Sequence, residues 1–309
     1  MREIRKTNWL YLVLIVAFLV ISLGSGFLYQ LVEDTMWGNC FLMVFPELLM
    51  LVIGIIYLKR VDKKKIWSSI RMHKLSPLTV FLVVVMGICL IPMVSLVNAI
   101  SMMFATNLVE STMVNLSQYG FFGALFMIAI VPAFVEEFIY RGIFANTYMN
   151  YSYKKGVIVS ALLFGLMHMN FNQFSYAFFI GIIFAIVLEV TDSILSSMIL
   201  HFMINGSSVA SYFLIVKMQG VLGGGEGNLD LASTEMTWAM VGAYVIPALI
   251  AAIIFFLILW GIGKSNGKIG APKEEQSTKS GKIWSWQLTI ATIICLIMAI
   301  LVEVGSRLA

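Results

Sequence analysis

The sequence predicts an all-α protein, a polytopic transmembrane helix bundle of about nine spans, and three observations carry that prediction. Of 309 residues, 60% are hydrophobic and 12% charged, where soluble domains hold roughly 45–50% and about 25%. The apolar residues fall in long runs separated by short polar segments, and a bilayer core needs about 20 of them per helix. The basic residues gather in alternate loops, as they do in membrane proteins. Such a composition excludes a soluble enzyme, a disordered regulator and a DNA-binding protein. The excess of 20 basic over 16 acidic residues reports topology and implies no nucleic-acid partner.

The first run, 9–31, follows Arg2, Arg5 and Lys6. It is longer than the roughly 7–15 residues of a signal-peptide core and no A-x-A site follows it, so it reads as an uncleaved span. Runs at 37–58 and 78–104 are the second and third spans. Between them, Ile66, Trp67, Ile70 and Leu75 alternate with Lys and Arg, which predicts a short amphipathic helix anchored on the membrane surface. The fourth span is 121–140 with a polar extension to 150, the fifth is the short run 157–169, and the sixth and seventh are 174–190 and 194–216. A Gly-rich loop from Gly220 to Asp230 leads to the eighth span, 238–262. Residues 263–284, rich in Lys, Gly, Ser and Glu, read as a flexible linker before the ninth, 286–304.

Lys59, Arg60, Lys63 to Lys65, Lys154, Lys155, Lys264, Lys268, Lys273, Lys279 and Lys282 fall on the face that bears the N-terminus. The positive-inside rule puts that face in the cytoplasm and, with an odd number of spans, the C-terminus outside. Glu33, Asp34, Glu110 and Glu226 occupy the opposite loops. Cys40, Cys89 and Cys295 lie singly inside apolar runs and read as small core residues.

An ionisable residue inside a span costs several kcal/mol unless paired or hydrated, so each is a functional candidate. The fourth span holds Glu136 and Glu137, the fifth His168, and the seventh His201 and Asn205. Glu137 reaches Arg141 at i,i+4, whereas Glu136 is rotated about 100° away and is left to act on water or substrate. Pro132, one turn before Glu136, removes a backbone hydrogen bond and loosens the helix, a gap open to a water or a substrate carbonyl. Counting about 1.5 Å per residue from the helix ends, Glu136, His168 and His201 can meet at similar depth. A carboxylate, two imidazoles and an amide are the groups needed to activate water and hold an oxyanion. Glu136, His168 and His201 also form a possible zinc set of the His₂Glu kind, although no H-E-x-x-H is present. Glu47, after Pro46 in the second span, has three open readings: lining the same cavity, relaying protons, or pairing with an unseen partner; it is left outside the candidate set. His73 reads as an interfacial residue, and Glu189 and Asp192 as solvated.

Glu136-Glu137 with Arg141, then Phe164 with His168, then His201 with Asn205, resemble the E-E-x-x-x-R, F-x-x-x-H and H-x-x-x-N motifs of the CPBP intramembrane proteases. That family holds the type II CAAX prenyl proteases and the Abi-type bacteriocin-processing and immunity proteins. The resemblance spans about residues 131–205. It implies a membrane-embedded endopeptidase in which Glu136 and His168 activate water while His201 and Asn205 polarise the scissile carbonyl, with Glu137 and Arg141 in support. Zinc on Glu136, His168 and His201 and a metal-free glutamate mechanism are both open under it. It implies three parts: N-terminal helices at 1–119, a catalytic core at 120–216, and C-terminal helices with the linker at 217–309. It also implies a bacterial cell membrane, with lipid and a membrane-associated protein or peptide as partners. Two other readings remain: a non-catalytic immunity or partner-binding protein, and a transporter using the buried charges as an ion site.

Overall fold

A computed structural model describes residues 2–31, 36–63, 65–221, 236–268 and 282–308. The described residues form α1 (Arg2–Leu31), α2 (Met36–Ile56, continued by a π-helical turn, Tyr57–Val61), α3 (Ile66–Ser69), α4 (Pro77–Met102) and α5 (Val109–Ser117). After these come α6 (Gly120–Met149), α7 (Tyr153–Met167), α8 (Phe171–Thr191), α9 (Ile194–Val221), α10 (Trp238–Ser265) and α11 (Trp286–Leu308).

Eight of the described helices are long and apolar enough to cross a membrane, so the protein is an integral membrane protein. The difference from the expected nine is α7. Its 15 residues reach about 22 Å, short of the roughly 30 Å hydrocarbon core. It therefore ends inside the bundle, where Asn170 and Asn172 of the next turn are almost wholly buried. Backbone without helical bonds is tolerated at that depth only where protein surrounds it. Asn170 supplies one of the missing bonds, its Oδ1 accepting from Gln173 N at 2.8 Å to cap α8.

The spans in α6 and α8 are 50% and 56% buried, against 22–33% for the others, which makes these two the interior of the bundle. With α7 and α9 they enclose an apolar core containing Phe138, Phe144, Phe164, Phe184 and Leu200. The helix α4 packs on α8, α9 and α10, while α1 lies against α2 and α11. Outward faces of α10 and α11 present Leu249, Ile253, Leu257, Ile297 and Leu301, the surface a bilayer covers.

Small residues set the closest approaches. A Cβ on Gly181 of α8 would stand 2.9 Å from Ala161 Cα of α7, and one on Gly156 would meet the backbone of Met149 and Tyr148. The tight α6–α7 turn thus needs Gly156. Gly156→Val is expected to abolish the folded state, seen as loss of a monodisperse peak when detergent-extracted protein is run by size exclusion.

The segment after α2 departs from the expected surface anchor. Only Ile66–Ser69 is helical, and although Trp67 stays exposed, Ile70 is fully buried in the protein. Ile70 fits over Gly142 of α6, where any Cβ would come within 2.9 Å of it. Glu189 and Asp192, expected in solvent, instead hold Arg71: its Nη1 donates to Glu189 Oε2 at 3.0 Å and its Nε to Asp192 Oδ1 at 2.7 Å. His73 Nδ1 faces Asp192 at 3.2 Å and is tied to the same turn. Burial alone would raise the Asp192 carboxyl, but the hydrogen bond and charge of Arg71, with Lys268 and His73, hold it below its ordinary value. Its contribution is therefore present at neutral pH and lost as pH falls through the folded-state value. Arg71→Ala is expected to cost about 1–2 kcal/mol, discounted for the partial exposure of the pair. Thermal melts should show the loss in full at pH 7, and the difference from wild type should shrink as pH falls through the lowered Asp192 value.

The expected loop from Gly220 to Asp230 is described only at Gly220 and Val221, which still belong to α9. Glu33, Asp34, Lys64, Glu226, Lys273, Lys279 and most of the linker lie outside the described residues, as does the Glu110 side chain.

Candidate active site

The local build of α6 begins with Pro132. Lacking an N–H, it leaves the Ile128 carbonyl without its helical donor, and Asn205 Nδ2 of α9 donates to that oxygen at 2.8 Å. The gap expected at Pro132 for a water or a substrate carbonyl is thus filled by a candidate site residue of the protein itself. Two π-helical segments, Phe126–Ile130 and Phe138–Ala145, flank the turn bearing Glu136 and Glu137. Wider turns of this kind re-aim side chains, and they recur at functional sites.

Glu137 and Arg141 form the predicted pair, with Arg141 Nη1 donating to Glu137 Oε1 at 2.9 Å and both side chains excluded from solvent. The Arg141 guanidinium lies between two rings, 4.2 Å from the Phe164 centroid and 4.8 Å from that of Phe184. This cation–π sandwich compensates part of the desolvation of a buried charge. Glu137 has a second task that sequence reasoning missed: its Oε1 also accepts from His201 Nδ1 at 2.9 Å. That contact fixes His201, in its neutral form, with the proton on Nδ1 and the lone pair on Nε2. Asn205 Nδ2 is 3.2 Å from this Nε2, so its amide bridges His201 and the Ile128 carbonyl.

His168 is held by the same logic. Its Nδ1 donates to the Phe164 carbonyl at 3.0 Å at the end of α7, because a carbonyl can only accept, and Nε2 is left as the acceptor. The Phe164 ring stands edge-on to both His168 and His201, with centroids 5.2 and 6.1 Å away. One aromatic ring therefore spaces both imidazoles and seats Arg141.

Glu136 differs from its neighbour. Its side chain is 15% exposed where that of Glu137 is closed to solvent, and its Oε2 lies 3.8 Å from His201 Nε2 with no hydrogen-bond partner. The one acid that can meet a water or substrate is thus the one not held by Arg141. Glu47 of α2 brings its carboxyl within hydrogen-bonding reach of Glu136, and the Tyr140 hydroxyl is buried nearby without a partner. A single acid beside a proline in an otherwise apolar run is the sequence signal for Glu47. Phe184 carries no signal of its own.

Glu136, His201 and Asn205 are within contact of one another around His201 Nε2, and His168 stands on the other side of the Phe164 ring that it shares with His201. The fit to a metal is poor: among the described residues no three His, Cys, Asp or Glu side chains are grouped closely enough to hold an ion. Both Nδ1 atoms are already engaged, and Asn205 occupies His201 Nε2.

Residues 118–207 match the family described as type II CAAX prenyl endopeptidase Rce1-like. This segment contains every residue of the cluster except Glu47, and it overlaps α6 to α9. No curated protein and no solved structure gives a match.

Proposed function

Since residues 118–207 match the type II CAAX prenyl endopeptidase Rce1-like family, we propose that this protein hydrolyses peptide bonds in membrane-associated proteins or peptides, with Glu136 as general base. The observation that supports this most is the contrast within one turn: Glu137 is sealed by Arg141 and His201, while Glu136 is bonded to neither and its side chain is 15% exposed beside His201.

A water between Glu136 and the free Nε2 of His168 gives a proton to Glu136 as its oxygen attacks the scissile carbonyl carbon. The C=O π bond opens to an oxyanion. His201 takes a proton from solvent at Nε2 as the substrate enters and keeps it through the cycle, which turns it from acceptor to donor, with Glu137 on its other nitrogen to balance the charge, and releases the Asn205 hydrogen that rested there. Both donors then face the oxyanion. Glu136 returns its proton to the leaving nitrogen as the C–N bond breaks. No step passes through a metal.

A site closed by helices requires the target backbone to unfold locally before entering. The catalytic core is assigned to 120–216 and the flanking helices, 1–119 and 217–309, to its enclosure. A cytoplasmic N-terminus is the reading favoured by basic segments meeting at one end, where Lys6 Nζ donates to Val61 O at 2.7 Å and Asn8 Nδ2 to Ile283 O at 2.8 Å. The test is a comparison of membrane-proteome termini in cells expressing wild type or Glu136→Gln at matched levels. Termini made only by wild type are expected, and they would name the substrate. Identical profiles would contradict hydrolysis and favour partner capture.

A further inference from the structure

The end of α10 is turned back on the bundle by its cap. Gly267, at a φ of +64°, lets Lys268 N donate to Gly263 O at 2.8 Å and Gly267 N to Lys264 O at 3.2 Å, the paired reversal that closes a helix at a left-handed glycine. Asn266 Nδ2 of the same turn donates to Val190 O at 3.0 Å and fastens α10 to the end of α8. Between these two helices and the start of α7 lies a cavity of about 290 Å³, with Ile186, Phe256 and Leu259 on its apolar side and Tyr153, Trp260 and Lys268 on its polar side. Ile253, Phe256 and Trp260 are exposed at helical spacing along about 10 Å of α10, on the face a bilayer covers. Lys264 Nζ stands 5.2 Å from the Trp260 ring centroid, at the end of the same strip.

Charge decides what fits this cavity. Glu189 also lines it, but Arg71 donates to Glu189 at 3.0 Å and to Asp192 at 2.7 Å, so one guanidinium holds both acids. The attraction between Lys268 and Asp192 is screened, because the Asp192 side chain is 48% exposed. Lys264 is exposed, as are Lys154 and Lys155, which follow Tyr153. Cations therefore outnumber acids where the apolar strip ends, and basic pockets between membrane helices take anionic headgroups. We propose that this cavity binds an anionic glycerophospholipid of the surrounding leaflet, its phosphate at Lys264 and Lys268 and an acyl chain along Phe256 and Ile253. A zwitterionic phospholipid brings a cation that the lysines repel, and a free phosphate leaves the apolar side unused. Since three helices share the cavity, its occupant stabilises the folded state. None of the residues assigned to hydrolysis takes part, so the site stands independently of the protease reading.

The test titrates the purified full chain in detergent with phosphatidylglycerol, phosphatidylcholine or inorganic phosphate, read by native mass spectrometry and melting temperature. Wild type is expected to retain one phosphatidylglycerol with an affinity at least fivefold above that for phosphatidylcholine, and to melt higher in its presence. Inorganic phosphate in excess should not displace it. Lys264→Gln combined with Lys268→Gln should lower the phosphatidylglycerol affinity at least fivefold. Lys59→Gln combined with Arg60→Gln removes the same charge at the same end of the bundle from residues that do not line the cavity, and should leave the affinity within about twofold. Both double variants should melt with wild type when no lipid is added. A folded wild type that retains no phosphatidylglycerol, or retains phosphatidylcholine equally, would overturn the proposal. Equal losses in the two double variants would reduce the effect to a general attraction of basic residues for anionic lipid and overturn the site. Displacement by inorganic phosphate would assign the lysines to a free anion and overturn the lipid.

Discussion

Glu136→Gln is expected to remove peptide-bond hydrolysis, lowering kcat by about 10²–10⁴-fold, the usual contribution of a positioned general base. The amide has the shape of the carboxylate and lacks its basic lone pair, so the protein should fold and reach the membrane as wild type does. The structural cost should be small because Glu136 carries no ion pair with Arg141 and its Oε2 has no hydrogen-bond partner to lose. Activity in a folded Glu136→Gln, measured by product formation in detergent or liposomes, would remove this residue from the chemistry.

Arg141→Leu acts in the opposite sense, on the fold first. Arg141 is almost wholly buried between Phe164 and Phe184 and bonds Glu137. Removing one member of a buried pair leaves the other charge uncompensated, at a cost of about 3–5 kcal/mol. The variant should therefore be poorly expressed and aggregate on extraction. Replacing both members, Glu137→Leu with Arg141→Leu, should recover much of that stability, because apolar groups can substitute for a buried pair. Activity should not return with it, since His201 loses the acceptor that fixes its Nδ1 proton. Melting temperature and turnover measured on the same preparations separate the two effects; a double variant both stable and active would show that Glu137 does not orient His201.

The features legible in the sequence are the local ones. The Glu137–Arg141 pair is set by helical period alone, and the gap at Pro132 by the chemistry of one residue. That Asn205 fills this gap joins positions 77 residues apart, which no local pattern reports. The same holds for Glu47, whose meeting with Glu136 depends on α2 packing over Ile139 at Gly54. Ile70 escapes the sequence for a different reason: an amphipathic segment can bury its apolar face in lipid or in protein, and Gly142, which opens the protein groove, lies in another helix. The span count differs at α7, whose apolar run 157–169 is short for a span but has the composition of one, so its length alone marks it as the doubtful member of the nine. Charge in the spans is the most readable feature, since few apolar helices keep an acid or imidazole without use for it.

The central claim is that Glu136, with His168, His201 and Asn205, hydrolyses a peptide bond inside the membrane. The most direct measurement places purified wild type and purified Glu136→Gln in liposomes with a membrane-embedded substrate segment identified from the cellular termini. Products are then read by mass spectrometry under single-turnover conditions. The account predicts one defined new terminus with wild type and none above background with Glu136→Gln. Equal cleavage by the two proteins, or none by a folded wild type, would contradict it.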